Sequence, residues 1–241
     1  PTKDIKKQEP YRLGLAYLDL STGDFIVYEG IVDHIFQSLV DFFYQISPKE
    51  LVLPESLKEN PTFLRLIKDY QKESTKNYLA DYRFESKQGT NLILECLKVT
   101  SLKGFGIEDK SFAIGAAGAL LYYLKETQLR EISHLNTIRS IEKNQFMELN
   151  EATLKNLELI SNLKDGSRKL TLFSILNKTK TSMGSRLLNQ WLLHPLKDVQ
   201  QIKERQKVVS FFFNHREILL DLFVYMDQVL DIELLLGKIA L

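Results

Sequence analysis

Near its start the chain alternates apolar and polar residues, and further on it changes to a helical spacing. Leu13, Leu15, Tyr17 and Leu20 lead into Ser21, Thr22, Gly23 and Asp24, after which Phe25 and Val27 carry the alternation toward Gly30. A period of two interrupted by turn-forming residues predicts a hairpin over residues 11–29, with Gly23 supplying the positive φ of the turn. Asp33 stands where it can cap a helix carrying Ile35, Phe36, Leu39, Val40 and Phe43, which Ser47 and Pro48 end. Leu51, Val52 and Leu53 read as a short buried strand stopped by Pro54, Phe63, Leu64 and Ile67 as a helix, and residues 78–84 as another strand. Residues 89–97 suggest a short helical piece. Residues 115–128 form a helix whose Ala116, Ala117, Gly118 and Ala119 permit close packing.

Beyond a bridge through Ile132, Leu135, Ile138, Ile141 and Phe146 the pattern is helical to the end, with Asn150, Asp198 and Asp231 placed as caps. Thr181 or Ser182 can accept a hydrogen bond from a first helical turn. Met183, Leu187, Leu188, Trp191 and Leu192 then repeat at roughly helical spacing and predict a buried stripe. His194 before Pro195 ends that helix, because a proline disfavours helical geometry in the residue before it and has no amide donor. Val208, Val209, Phe211, Phe212 and Phe213 add apolar surface to cover. The predicted fold class is therefore α/β: a linker over residues 1–10, an α/β layer domain over 11–128, and a mostly helical segment over 129–241.

The order of residues within 171–196 is specific. Leu172, Leu176, Thr179, Thr181, Met183, Gly184, Arg186, Leu188, Trp191, Leu192, Pro195 and Leu196 follow L-x-x-x-L-D-x-T-x-T-P-M-G-x-R-x-L-x-x-W-L-x-x-P-L, and the stretch resembles the core of the MutS DNA mismatch-repair family. Asn177 and Ser182 depart from it, standing where the pattern has aspartate and proline. Gly14, Ala16, Asp19, Ser21, Thr22, Gly23 and Phe25 are similar to the opening of the family's connector domain, G-x-A-x-x-D-x-S-T-G-x-F. Gly104, Phe105 and Gly106, then Thr153, Asn156, Leu157 and Glu158, then Asp231 and Glu233 extend the match, with Leu234 where arginine is usual. The resemblance implies a ribonuclease H-like connector followed by an all-α core segment, cut before the levers that reach DNA. It implies a mechanical and recruiting role in a protein that, entire, is a dimeric ATP-driven clamp using magnesium, binding mismatched double-stranded DNA and MutL, cytoplasmic and nucleoid-associated. It carries no catalytic, cofactor or metal residue onto this segment.

Composition is compatible with that reading. The 241 residues, 44% hydrophobic and 26% charged, allow one large or two modest cores, and two are expected. No apolar run is long enough to span a bilayer, and the first ten residues lack the apolar core of a secretory signal. Cys96, the single cysteine, sits in an apolar context that suggests a small buried side chain. Residues 1–128 carry a slight acidic excess and the remainder a slight basic one. Lys164, Arg168, Lys169, Lys178, Lys180 and Arg186 could attract phosphates, but they flank an apolar helix and read first as its solvated rim. The chain starts at Pro1 and stops within LLLGKIAL, which suggests an excised segment of a longer protein.

A ribonuclease H-like fold raises metal-dependent nuclease chemistry, in which clustered carboxylates hold two magnesium ions. Asp19, Asp24, Glu50 and Asp81 are the candidates, though all but Asp19 are ordinary turn or strand-margin acids. His34, His134, His194 and His215 sit in helix or helix-end contexts outside any nucleophile motif. No G-x-x-x-x-G-K-[ST] occurs, so no phosphate-binding loop for ATP is expected. Gly104-Phe105-Gly106 reads as a turn that buries Phe105. The family's mismatch-reading phenylalanine and glutamate, two residues apart, have no counterpart at Phe63 or at the adjacent Phe84 and Glu85.

Overall fold

The computed structural model describes residues 10–127, 135, 137–141 and 146–239, with side chains to 235. The expectations at Gln128, Ile132 and His134 lie outside them. The chain divides after Ile141 into two compact units, the second extending to Leu236. In the first, β1 (Tyr11–Asp19) pairs antiparallel with β2 (Asp24–Val32) in unbroken register from Tyr11↔Val32 to Asp19↔Asp24. Gly23 turns the hairpin at φ 75°, its amide on the Asp19 carbonyl at 2.8 Å. The Asp19 carboxylate closes the turn by accepting from the Ser21 amide and hydroxyl at 2.8 and 2.6 Å.

Helix α1 (Ile35–Ile46) begins at His34, whose side chain makes no capping bond, so the cap expected of Asp33 is not used. The reason is register: β2 stays extended to Val32, which leaves Asp33 one residue short of the first turn. Next come β3 (Glu50–Pro54), α2 (Pro61–Tyr70) and β4 (Thr75–Leu79), with β3 and β4 parallel from Glu50↔Thr75 to Pro54↔Leu79. Asn60 caps α2 by accepting from the Phe63 amide at 3.0 Å. The strand expected at 78–84 is therefore displaced. Tyr78, Tyr82 and Phe84 keep a period of two, but pairing with β3 ends at Leu79 and residues Asp81–Phe84 wind into a 3₁₀ turn.

The helical piece expected over residues 89–97 is longer, α3 (Ser86–Leu97), and α4 (Ser111–Thr127) starts four residues before Gly115. The early start of α4 has a distant cause. Glu29 on β2 accepts from the amides of Phe112 and Ala113 at 2.8 and 3.0 Å, while Arg12 pairs with the same carboxylate at 2.7 Å. A carboxylate at a helix N-terminus satisfies free amides and opposes the helix dipole. After α4 the chain returns to β2: β5 (Arg139–Ser140) pairs parallel with Ile26 and Val27.

Two apolar clusters fill this unit. Phe25, Val27, Ile93, Leu97, Ile107, Ala117, Leu121, Leu135 and Ile138 form one, and Leu13, Tyr28, Leu39, Val40, Leu51, Leu53, Phe63 and Ile67 another. Helix α4 lies against α3 and β1 at backbone contact, because a Cβ at Gly118 or Gly89 would collide with the other helix and one at Gly14 with Phe112.

The second unit is helical, with α5 (Glu151–Asn156), α6 (Leu172–Leu176), α7 (Ser182–Leu193), α8 (Val199–Asn214) and α9 (Arg216–Met226), and α10 (Ile232–Ile239) begins within it. Asn150, Thr171, Thr181 and Asp198 accept from the amides of Thr153, Ser174, Gly184 and Gln201, and Asp231 from that of Leu234. The three expected aspartate and asparagine caps are thus in place, and of Thr181 and Ser182 it is Thr181 that caps α7. His194 ends α7 before Pro195 as expected. The stripe on α7 is only partly buried: Met183, Leu188 and Leu192 are half-buried, while Leu187 and Trp191 are 47% and 40% exposed, and the fully buried residue is Leu193. No residue of α8 or α9 is buried, and Val208, Val209, Phe211 and Phe213 face solvent. The apolar pattern is present, but no described element lies over it.

Candidate functional site

The motif helix α7 is held by polar ties at its N-terminal end. Ahead of its first turn, Asn177 donates to the Ser185 hydroxyl at 2.9 Å and accepts from Thr179 at 2.6 Å. Asn177 thus does by hydrogen bonding what a charged residue there could have done by pairing. In the first turns, Arg186 meets two carboxylates of the α10 start: Asp231 through two nitrogens at 2.8 and 2.7 Å, and Glu233 at 3.0 and 2.5 Å. A planar guanidinium is suited to such paired recognition. Hydrogen bonding to Arg186 lowers the Asp231 carboxyl to about 2, and the same bonds raise the Arg186 guanidinium above its ordinary value. Arg186, Asp231 and Glu233 all belong to the quoted motifs, so two stretches 45 residues apart in sequence are joined by one ion cluster.

Farther along α7 the guanidinium of Arg205 from α8 lies 3.7 Å from the centre of the Trp191 ring. Lys180 reaches Asp227 at 3.4 Å and lies over the Phe223 ring at 5.4 Å. Lys164, Arg168, Lys169 and Lys178 are exposed, as expected of a solvated rim. The His194 ring lies tilted against Phe146 at 5.7 Å, and burial pushes its imidazole below its ordinary value. His215 stacks on Phe211 at 4.5 Å with Nδ1 on the Phe211 carbonyl, and His34 begins α1.

The four candidate metal-binding acids are dispersed. Asp19 closes the hairpin turn, Asp24 pairs with Arg139, Glu50 accepts from the Tyr123 hydroxyl at 2.8 Å, and Asp81 accepts from the Ser56 amide at 3.0 Å. Asp19 and Asp24 are cross-strand partners and, with burial as the larger cause, push the Tyr17 hydroxyl up to about 12. Glu50 and Asp81 belong to the β3–β4 half of the unit. No cluster of three potential metal ligands occurs among the described residues. With each of these acids engaged locally, the donors for a nuclease pair of magnesium ions are not assembled, and the nuclease alternative finds no support. Gly106 is left-handed at φ 65° and ends a 3₁₀ turn whose Phe105 packs on the first core cluster. Cys96 also borders that cluster, and burial pushes its thiol up. Among the described residues no helix is long and apolar enough to cross a membrane.

Comparison with known proteins agrees with the motif order. A family model described as MutS domain II matches residues 5–136, more than half of the chain, and one described as MutS domain III matches residues 152–241. The chain belongs to the MutS family. The DNA mismatch repair protein MutS of Protochlamydia amoebophila is 37% identical over 227 residues, 94% of this chain and 26% of that protein. The MutS of Methanosarcina barkeri is 34% identical over 240 residues, covering 100% of this chain and 26% of its own length. That of Parabacteroides distasonis is 35% identical over 227 residues, 94% and 25% respectively. The chain thus spans about a quarter of the length of the MutS relatives it matches. Within this MutS chain, the Glu29 cap of α4 and the Arg205 stack on Trp191 were missed by sequence reasoning, because neither acts within one turn of its partner.

Proposed function

We propose that the chain is the connector and the first part of the core of a DNA mismatch-repair protein, linking mismatch sensing to an ATPase and helping to recruit MutL. The carrying observation is that the domain II and domain III matches fall in succession, the first within one compact unit and the second, up to Leu236, within the other, with the change of unit after Ile141 lying between them. The linker at 1–10, the connector at 11–128 and the core segment from 129 belong to this proposal. So does a ribonuclease H-like ancestry for the connector, supported by an antiparallel hairpin followed by a parallel β3–α2–β4 unit, with α4 packed on β1, β2 and β3.

The segment performs no catalysis of its own. Its candidate acids serve turns, a salt bridge and a tyrosine hydroxyl, and ATP with magnesium acts elsewhere in the entire protein. Mismatched double-stranded DNA, homodimerisation and a cytoplasmic, nucleoid-associated setting are likewise proposed for the entire protein. Binding of the chain to immobilised MutL from the same organism tests the recruiting role: saturable binding is expected, and none at about 100 μM refutes it, since affinities weaker than this are below about 5.5 kcal/mol. Fluorescence anisotropy with matched and mismatched duplexes tests the rest. Weak, equal and salt-sensitive binding is expected, because the exposed lysines and arginines contact phosphates and read no base edge. A salt-resistant preference for the mismatch refutes this assignment.

A further inference from the structure

The corner between α9 and α10, residues 227–235, is tied to the start of α7 by charge. Lys180, just ahead of α7, reaches Asp227, and Arg186, about one turn inside the helix, reaches Asp231 and Glu233. The two cations thereby hold both ends of the corner. Among the described residues of the corner no side chain is buried: Val229, Leu230 and Ile232 are exposed, and Asp231 and Leu234 are half-buried.

The corner has hydrogen bonds of its own that do not involve those cations. The amides of Asp227, Gln228 and Val229 close the last turn of α9 on the carbonyls of Phe223, Tyr225 and Met226. Those of Leu234 and Leu235 close the first turn of α10 on the Asp231 carboxylate and carbonyl. Its shape is therefore local, whereas its seat on α7 depends on Lys180 and Arg186. Ion pairs shared with water contribute little each and are weakened by salt, the bidentate Arg186–Asp231 contact being the strongest of the three. A segment without buried apolar anchors belongs to the part of a fold that opens first.

We propose that Lys180 and Arg186 form a two-point latch, and that the α9–α10 corner swings off α7 as one folded body when the latch is released. Closed, both cations are paired with their carboxylates. Open, the charged groups are in water and the corner keeps its own hydrogen bonds. This joint belongs to the second unit alone and is independent of the recruiting role proposed above.

Dipolar EPR of the 241-residue chain tests the latch, with spin labels at Gln190→Cys on α7 and Gln228→Cys in the corner, in a Cys96→Ser background. The parent should show one narrow distance at low salt and a second, longer one in about 1 M salt, where the screening length falls to about 3 Å. Arg186→Ala should raise the longer population about tenfold, as loss of a charge-assisted bidentate contact does, and should remove most of its salt dependence. Lys180→Glu should raise it about threefold, and adding Asp227→Lys to the same chain should restore the parent distribution; this pair carries the test if Arg186→Ala fails to fold. Lys178→Ala, which removes an exposed charge nearby, should change nothing. Hydrogen exchange separates a swing from unfolding: in Arg186→Ala the Asp227 and Leu235 amides should stay within about twofold of their parent protection, because their acceptors move with them. A distance unchanged both in Arg186→Ala and in high salt overturns the latch. A longer distance accompanied by rapid exchange at those two amides overturns the folded swing.

Discussion

Replacing Gly118 by alanine sets two opposing effects against each other. Alanine in a helix interior is favoured over glycine by about 1 kcal/mol, so an exposed glycine would gain stability from the change. At Gly118 the added methyl would stand 2.2 Å from the Cα of Gly89 on α3, and the obstacle is backbone that no rotamer can move. Restoring a normal carbon–carbon separation of ~3.5–4.0 Å requires α3 and α4 to part by more than about 1 Å. Parting them loosens Ile93, Ala117 and Leu121, all fully buried at or near this contact. Overpacking of this kind costs roughly 1–3 kcal/mol and rigid surroundings place it at the upper end, so the net loss is about 1–2 kcal/mol. For a unit of this size that corresponds to a fall of roughly 3–8 °C in melting temperature. Far-UV circular dichroism would follow the first unit, and fluorescence of Trp191, the single tryptophan, would follow the second, which should not change. Gly104→Ala is the control, since nothing lies within 4 Å of its added carbon. A melting temperature for Gly118→Ala equal to or above that of the parent would refute the backbone contact between α3 and α4.

Glu29→Ala should destabilise the first unit by about 1–2 kcal/mol through loss of the α4 cap, and hydrogen exchange should show faster exchange at Phe112 and Ala113 and little change in α2. Asp231 should titrate near 2 in a carbon-detected NMR titration, and in Arg186→Ala near the ordinary carboxylate value of about 3.9. Because this carboxyl is lowered in the folded state, its stabilising effect is complete above the unfolded value and disappears as pH falls from about 4 toward 2, so Arg186→Ala should flatten that part of the acid stability profile. Trp191→Ala should cost clearly less than the roughly 3–5 kcal/mol of a fully buried tryptophan, because the ring is partly exposed. Arg205→Ala should raise acrylamide quenching of Trp191 by uncovering one ring face.

Local chemistry made much of the chain legible. The hairpin turn at Gly23, the caps Asn150, Thr181, Asp198 and Asp231, and the end of α7 before Pro195 each depend on neighbours within a few residues, which is why residue order displays them. Errors arose where a distant partner decides. Glu29 sets the start of α4 from 83 residues away, and the register with β3 ends β4 at Leu79 despite the alternation that continues through Tyr82 and Phe84. The stripe of α7 shows another limit. Periodicity identifies a face able to be covered, but Trp191 carries the Arg205 guanidinium where a hydrophobic neighbour was expected. Of the candidate chemistry, residue types alone could nominate Asp19, Asp24, Glu50 and Asp81, and only the fold could show each engaged locally.

The two-residue strand β5 gives the first unit a particular mechanical character. Arg139 and Ser140, close to the end of this unit, lie parallel to Ile26 and Val27. Two side-chain ties, Arg139 to Asp24 and Lys110 to Ser140, act at the same place, and Leu135 and Ile138 are anchored in the core immediately upstream. Detaching β5 from β2 therefore means giving up both side-chain ties and lifting Leu135 and Ile138 from the core together, so this end of the unit cannot fray one residue at a time.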